Sequence, residues 1–241
     1  MPSEIFVRMI KMIRSRKQMS ETYLIGSILA LVGGYFDAYT YIARNHVFAN
    51  AQTGNIVLLG INLFSGDFTK ALSYFLPVFA FFAGVLVCEV FKRYRRHLPF
   101  HWRQYVIFLE LAVTVIVAFL PQGRVSGINC DLIANISISF VCSLQVQSFR
   151  KIRGINCATT MCTGNLRSGT DCLMAYFTKK DKQQLHSAGK YYGIVGLFMS
   201  GAVLSSYITY VLAEKSVLVC SFGLLAVLLL MFIKPEENKD T

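Results

Sequence analysis

The chain has 241 residues, of which 54% are hydrophobic and only 15% charged, with a net charge of +11 at pH 7. A soluble domain carries about 25% charged residues, so this chain has too little polar surface for a water-facing exterior. With 19 Phe, 12 Tyr and only five Pro, disorder and a collagen-like rod are excluded, leaving an all-α integral membrane protein.

The basic excess lies beside apolar runs and reads as loop charge, with no nucleic acid needed to explain it. Cys88, Cys130, Cys142, Cys157, Cys162, Cys172 and Cys220 are odd in number, form no CxxC pair and mostly sit in apolar runs. They read as small buried residues, with no disulfide framework, metal or cofactor implied.

A bilayer core of about 30 Å needs about 20 apolar residues as helix. Residues 1–22 come first, with Ile5, Phe6, Met9, Ile10, Met12 and Ile13 as a broken apolar stripe among five basic residues. They read as a basic segment on the cytoplasmic membrane surface or as a frayed tail. Spans follow at 23–42, 72–91, 104–120, 132–149, 191–212 and 217–233, with a tail at 234–241. Two further segments, 53–65 and 163–177, are short. A helix of about 12 residues reaches only about 18 Å, so neither crosses comfortably alone.

Charge decides how the short segments run. If all eight segments cross, the loop with Lys92, Arg93, Arg95, Arg96 and Arg103 falls outside, against the positive-inside rule. If six cross and the short ones re-enter on their own side, nineteen basic residues fall inside. Only Arg44, Lys70, Arg124 and Lys215 fall outside. Both termini are then expected in the cytoplasm.

The tripeptide TGN occurs at 53–55 and again at 163–165. Each copy follows a span ending in polar groups, Asp37 in GGYFDAY and Gln145 or Gln147 in SLQVQSF, and then an extended stretch. Each precedes a short helix and a long span with a central glycine, Gly84 or Gly201. The chain therefore reads as two related halves, 23–120 and 131–233. Three crossings per half invert the second half against the first, a recurring design of secondary transporters. A parallel repeat, with each extended stretch and short helix crossing together, is the alternative.

The combination GGYFDAYTYI, FANAQTGNIVLLG, LQVQSFR and CATTMCTGNL resembles the YoaK-like family of small bacterial membrane proteins, over most of the chain. The matching positions are Gly34, Asp37, Thr53, Gly54, Asn55, Gln145, Thr159, Thr160, Thr163 and Gly164. The polar second short helix, with Arg167 and Asp171, departs from the pattern. The resemblance implies a multi-span protein of the bacterial inner membrane and supplies no mechanism.

Asp37 is the sharpest candidate. A carboxylate inside a membrane faces a polar interior and often marks a pathway, which makes it a candidate proton carrier. The structural alternative is a carboxylate holding backbone N–H groups at the TGN turn. In each TGN, glycine permits a strained backbone and Thr and Asn suit a helix cap. The half-helix N-terminus then favours an anion or a polar ligand. Arg167 and Asp171, four apart, read as a pair or as an anion clamp. Glu89 and Glu110 read as partners of Arg93 or Arg103, or as a proton relay. Spacing pairs His97 with His101, but the basic loop around them disfavours a metal ion. Trp102 reads as an interface anchor, and Gly84 and Gly201 suit internal packing or a homodimer.

No Walker loop, dinucleotide fingerprint, HExxH or GxSxG is present, so neither an enzyme nor an ATP-driven pump is expected. The expectation is a secondary transporter or permease for a small polar or anionic solute. Asp37 would carry a proton, and residues 54–55 and 164–165 (Gly54, Asn55, Gly164 and Asn165) would cradle the solute with Gln145 or Gln147. A channel and a non-transporting accessory protein are the alternatives.

Overall fold

The computed structural model describes residues 22–95, 100–152 and 155–233. The basic segment expected over 1–22 lies outside these residues but for Thr22, as do the tail 234–241 and His97. The elements are α1 (Tyr23–Ala43), α2 (Gln52–Phe64), α3 (Phe68–Tyr94), α4 (Trp102–Ala118), α5 (Cys130–Ser148), α6 (Cys162–Lys179), α7 (Lys182–Leu212) and α8 (Leu218–Ile233). A two-residue antiparallel hairpin, β1 (Arg124–Val125) with β2 (Ile128–Asn129), joins α4 to α5. Another, β3 (Lys151–Ile152) with β4 (Ile155–Asn156), follows α5.

Local chemistry sets the helix starts. Thr22, Asp67, Asn129 and Asp181 each accept a first-turn N–H with the side chain, satisfying a donor the helix itself cannot. His101 and Gln104 form a reciprocal capping box at α4. Helix α7 ends where Ala213 takes φ 48° and ψ −128°, a conformation outside the helical basin. A one-turn 3-10 helix (Ala213–Val217) then leads into α8.

Among the described residues, four helical stretches are long and apolar enough to cross a membrane: Tyr23–Ala43, Phe68–Tyr94, Cys130–Ser148 and the 51-residue Lys182–Phe232. At 1.5 Å per residue the last would measure about 76 Å, and the turn at Ala213 divides it into two legs. The protein is a helical membrane protein. Its surface agrees: Phe75, Phe79, Phe82, Leu86 and Val90 form an exposed apolar face of α3, while Thr40, Arg44, Glu110 and Ser139 are fully buried. Polar groups inside and apolar groups outside are what a lipid solvent requires.

Contacts along α1 fix the directions of its neighbours. Tyr23 lies against Gly193 and the Leu31 carbonyl against Gly201, so α7 runs parallel to α1. The Tyr35 hydroxyl donates to the Ser216 carbonyl, and Val32 and Ile28 lie against Gly223, so α8 returns. Arg44 bonds Asp131 at the start of α5, and Gln145 near its end donates to the Leu29 carbonyl, so α5 is antiparallel to α1. Gly84 packs on Phe140 and the Cys88 thiol on the Leu144 carbonyl, so α3 runs with α5. Gln104 at the start of α4 donates to the Met231 carbonyl at the end of α8. Helices α1, α4 and α7 thus point one way and α3, α5 and α8 the other, alternating along the chain.

The short helices depart from that alternation. After α1 the chain doubles back until Asn50 bonds Asp37 and the Gly33 carbonyl, about half way along α1, and α2 starts there. After α5 the chain doubles back until Thr160 lies against Gly33, and α6 starts two residues later. Helix α2 has 13 residues and α6 has 18, longer than the 163–177 read from sequence. Each long helix with a central glycine packs on a distant helix, α7 on α1 and α3 on α5. Gly84 and Gly201 are therefore spent on internal packing.

Candidate functional site

The middle of α1 is where both short helices begin. Gly33 and Gly34 leave no side chain there, and a Cβ at Gly34 would overlap the Phe198 carbonyl of α7. One turn on, Asp37 is buried, and its Oδ1 accepts the Asn50 N–H at 2.5 Å. The Asn50 side chain adds a second tie, its Nδ2 donating to the Gly33 carbonyl at 3.2 Å. Asp37 therefore ties the extended stretch before α2 to α1, and a carboxylate serves this well because charge-assisted bonds are about twice as strong as neutral ones.

The two TGN asparagines do one job in two places. Asn55 Oδ1 accepts the Phe48 N–H at 2.9 Å and its Nδ2 donates to the Phe48 carbonyl at 2.8 Å. Asn165 Nδ2 donates to the Ala158 carbonyl at 2.6 Å, and its Oδ1 accepts from the Cys157 thiol. Both are buried and each reaches seven residues back. The capping role expected of Thr and Asn is not what forms. The N-cap positions are Ala51 and Met161, neither with a side-chain cap. The helices start one residue before the threonines, which carries each Asn past the cap and into the first turn. The first-turn N–H groups of both short helices are left without a side-chain partner.

The remaining sequence candidates separate. Gln145 is buried beside this centre, its Nε2 donating to the Leu29 carbonyl and to the Thr159 hydroxyl, both at 3.2 Å. Gln147 turns away and donates to Glu89 at the end of α3. Thr53, Thr163 and Gly164 are exposed and Gly54 half-buried at the two N-termini. Arg167 and Asp171 are both exposed on α6. The pairing expected between them does not form: the ion pairs among the described residues are Arg44 with Asp131 and Lys92 with Glu89.

Three buried polar atoms near Gly33 have no partner: Asn50 Oδ1, Gln145 Oε1 and Thr160 Oγ1. Asn50 was legible only as a member of its extended stretch, and Thr160 only as a matching position of the family resemblance. Their role depends on the extended stretches folding back on α1, which no local pattern encodes. Among the described residues no group of three His, Cys, Asp or Glu is placed to hold a metal ion.

The match of the chain to known families covers nearly all of this architecture. Residues 25–231 match the family described as "Protein of unknown function (DUF1275)". The chain belongs to this family. The resemblance drawn from the GGYFDAYTYI and TGN motifs is consistent with that membership. No curated protein and no solved structure is significantly similar to the chain.

In this DUF1275 member, two charged groups differ from the sequence reading. Glu89 pairs with Lys92, not with Arg93 or Arg103. Glu110 pairs with neither arginine: it is fully buried with both oxygens unpartnered, and Arg103 Nε donates to the Ser148 carbonyl instead. Trp102 is buried, with Lys92 and Arg103 over its ring at 5.7 and 5.3 Å. Arg44, counted as loop charge, is a fully buried tie between α1, α4 and α5.

Proposed function

We propose that this protein is a secondary transporter or permease for a small polar or anionic solute, bound where α2 and α6 begin beside Gly33 and Asp37. The observation that carries the reading is the set of unpartnered buried atoms on Asn50, Gln145 and Thr160 at two uncapped helix N-termini. Buried polar atoms without partners are rare in folded proteins; the amide oxygens of Asn50 and Gln145 only accept, so what they lack is a donor, which a solute carrying N–H or O–H groups supplies. Helix N-termini add partial positive charge suited to an anion. Arg167, exposed and without an ion-pair partner among the described residues, lies less than two turns into α6 and adds a full charge on the approach.

In this reading six helices cross the membrane of a bacterial cell, and α2 and α6 enter from opposite faces to its middle. The alternating helix directions and the exchange of α7 onto α1 and α3 onto α5 support two inverted halves. The basic loops then place both termini in the cytoplasm. Protonating Asp37 weakens its hold on the Asn50 N–H and frees the stretch leading into α2, which is how a proton would be coupled to opening of the site.

The test is thermal stability of the purified protein and of Asp37→Asn at two pH values, with small anions, amino acids, nucleobases and metal ions as ligands. A solute that stabilises the wild type in a pH-dependent way, and the variant not at all, supports the reading. No shift with any solute, with outright loss of stability in Asp37→Asn, overturns it in favour of a non-transporting accessory protein. Conduction through reconstituted protein with no saturation would favour a channel.

A further inference from the structure

Glu110 lies near the middle of α4, fully buried, and neither of its carboxyl oxygens has a hydrogen-bond partner. Helices α5 and α8 and the one-turn 3-10 helix pack most closely on α4, with α3 more lightly. The titratable groups they turn toward Glu110 are the thiols of Cys142 in α5 and Cys220 in α8. No lysine, arginine or histidine among the described residues acts on Glu110.

An ionised carboxylate in such a place would be a buried charge with no offsetting partner, which folded proteins do not tolerate. A protonated carboxyl carries no net charge and avoids that cost. Buried acids inside membrane domains face pathways and proton relays far more often than they serve packing. We propose that Glu110 is a proton-binding site: its carboxyl holds a proton in this conformation and releases it only when α4, α5 and α8 part enough to admit water. The proposal rests on Glu110 being sealed among these helices. It needs no particular solute and no titration of Asp37.

The test is infrared spectroscopy of the full-length protein in lipid at neutral pH, reading the carbonyl band of a protonated carboxylic acid. Glu110→Gln keeps the size of the side chain and imitates its uncharged form. The expected result is a band that is present in the wild type and in Asp37→Asn, absent in Glu110→Gln, and shifted when the wild type is grown on isotope-labelled glutamate. The labelled wild type decides the matter even if the variant fails to fold, because Glu110 is the one fully buried glutamate among the described residues. No glutamate-dependent acid band, or a band unchanged in folded Glu110→Gln, overturns the proposal. Failure of the solute screen with the glutamate band present leaves this proton site standing and removes only the transport reading.

Discussion

Asn55 and Asn165, 110 residues apart, each hold the backbone seven residues upstream through a buried carboxamide. The bond is what turns an extended stretch back against the short helix that follows it. Losing a buried bonded amide costs about 1–3 kcal/mol for each backbone group left unpaired. Asn55→Ala is therefore expected to lower stability by about that amount or more, and Asn165→Ala by somewhat less, since one of its partners is a weakly bonding thiol. Exposed Thr53 is the control, because surface changes of this kind stay within about 0.5 kcal/mol. Thermal melts of the three alanine variants in one detergent check the order. Equal losses at Thr53 and Asn55 would return the role to capping.

The Arg44–Asp131 pair, 3.0 Å apart and sealed from solvent, makes a second prediction. Arg44 also donates to the carbonyls of Val117, Leu120 and Pro121 at the end of α4, and to the Tyr39 hydroxyl. Asp131 accepts in addition from Asn45 and the Gly123 N–H. Removing one partner of a buried pair typically costs about 3–5 kcal/mol, so Arg44→Met is expected to be at least that damaging. Arg44→Met combined with Asp131→Leu is expected to recover only part of the loss, because the carbonyls of α4 stay unpaired. A double-mutant cycle on thermal or denaturant melts measures both terms.

Much of the architecture was legible in the sequence, and the reasons are local. Apolar length marks the long helices directly. The repeated TGN marks two places where the chain doubles back, because the same short-range clamp is built twice from the same residue. What was not legible depends on pairing between distant segments. Arg44 looked like loop charge because Asp131, its partner, is 87 residues away. Glu110 looked like an interface acid because sequence distance to Arg103 suggested a pair, but seven residues of helix set the two about 10 Å apart along the axis, and Arg103 bonds the Ser148 carbonyl instead. Gln145 and Gln147 were equivalent by spacing, and only the fold sends one to Leu29 and the other to Glu89. At the candidate site the glycines and Asp37 could be read from sequence. The contacts of Asn50 and Thr160 could not, since each acts on a helix laid down earlier in the chain.

Glycines at the helix crossings give a third prediction. A Cβ on Gly201 would overlap the Leu31 carbonyl, and one on Gly84 the Ser143 hydroxyl and the Phe140 carbonyl. Backbone cannot step aside as a flexible side chain can, so Gly201→Val is expected to push α7 off α1 at a cost of about 1–3 kcal/mol or more. Gly60 in α2 has open space around it, and Gly60→Ala is expected to be neutral or stabilising by up to about 1 kcal/mol through helix propensity. Melting temperatures with cross-linking of cysteine pairs across α1 and α7 would show whether the helices part or the protein unfolds.

Arg167 separates binding from stability. It is exposed, two residues past the buried Asn165 that anchors α6, and no ion pair holds it among the described residues. Replacing an exposed unpaired side chain leaves stability within about 0.5 kcal/mol, so Arg167→Gln is expected to fold and melt as the wild type does. If anions approach the α6 N-terminus past this side chain, loss of one full charge weakens their binding at low salt and matters less at high salt, where screening already shortens its reach to about a Debye length of 8 Å. Asp171→Asn, which removes the opposite charge one turn on, is expected to strengthen the same binding. Thermal-shift titrations of both variants with an anion that stabilises the wild type, at low and high salt, read the two effects in opposite directions. Equal weakening in both would make the two residues a packing feature of α6, and the approach of the solute would then lie elsewhere.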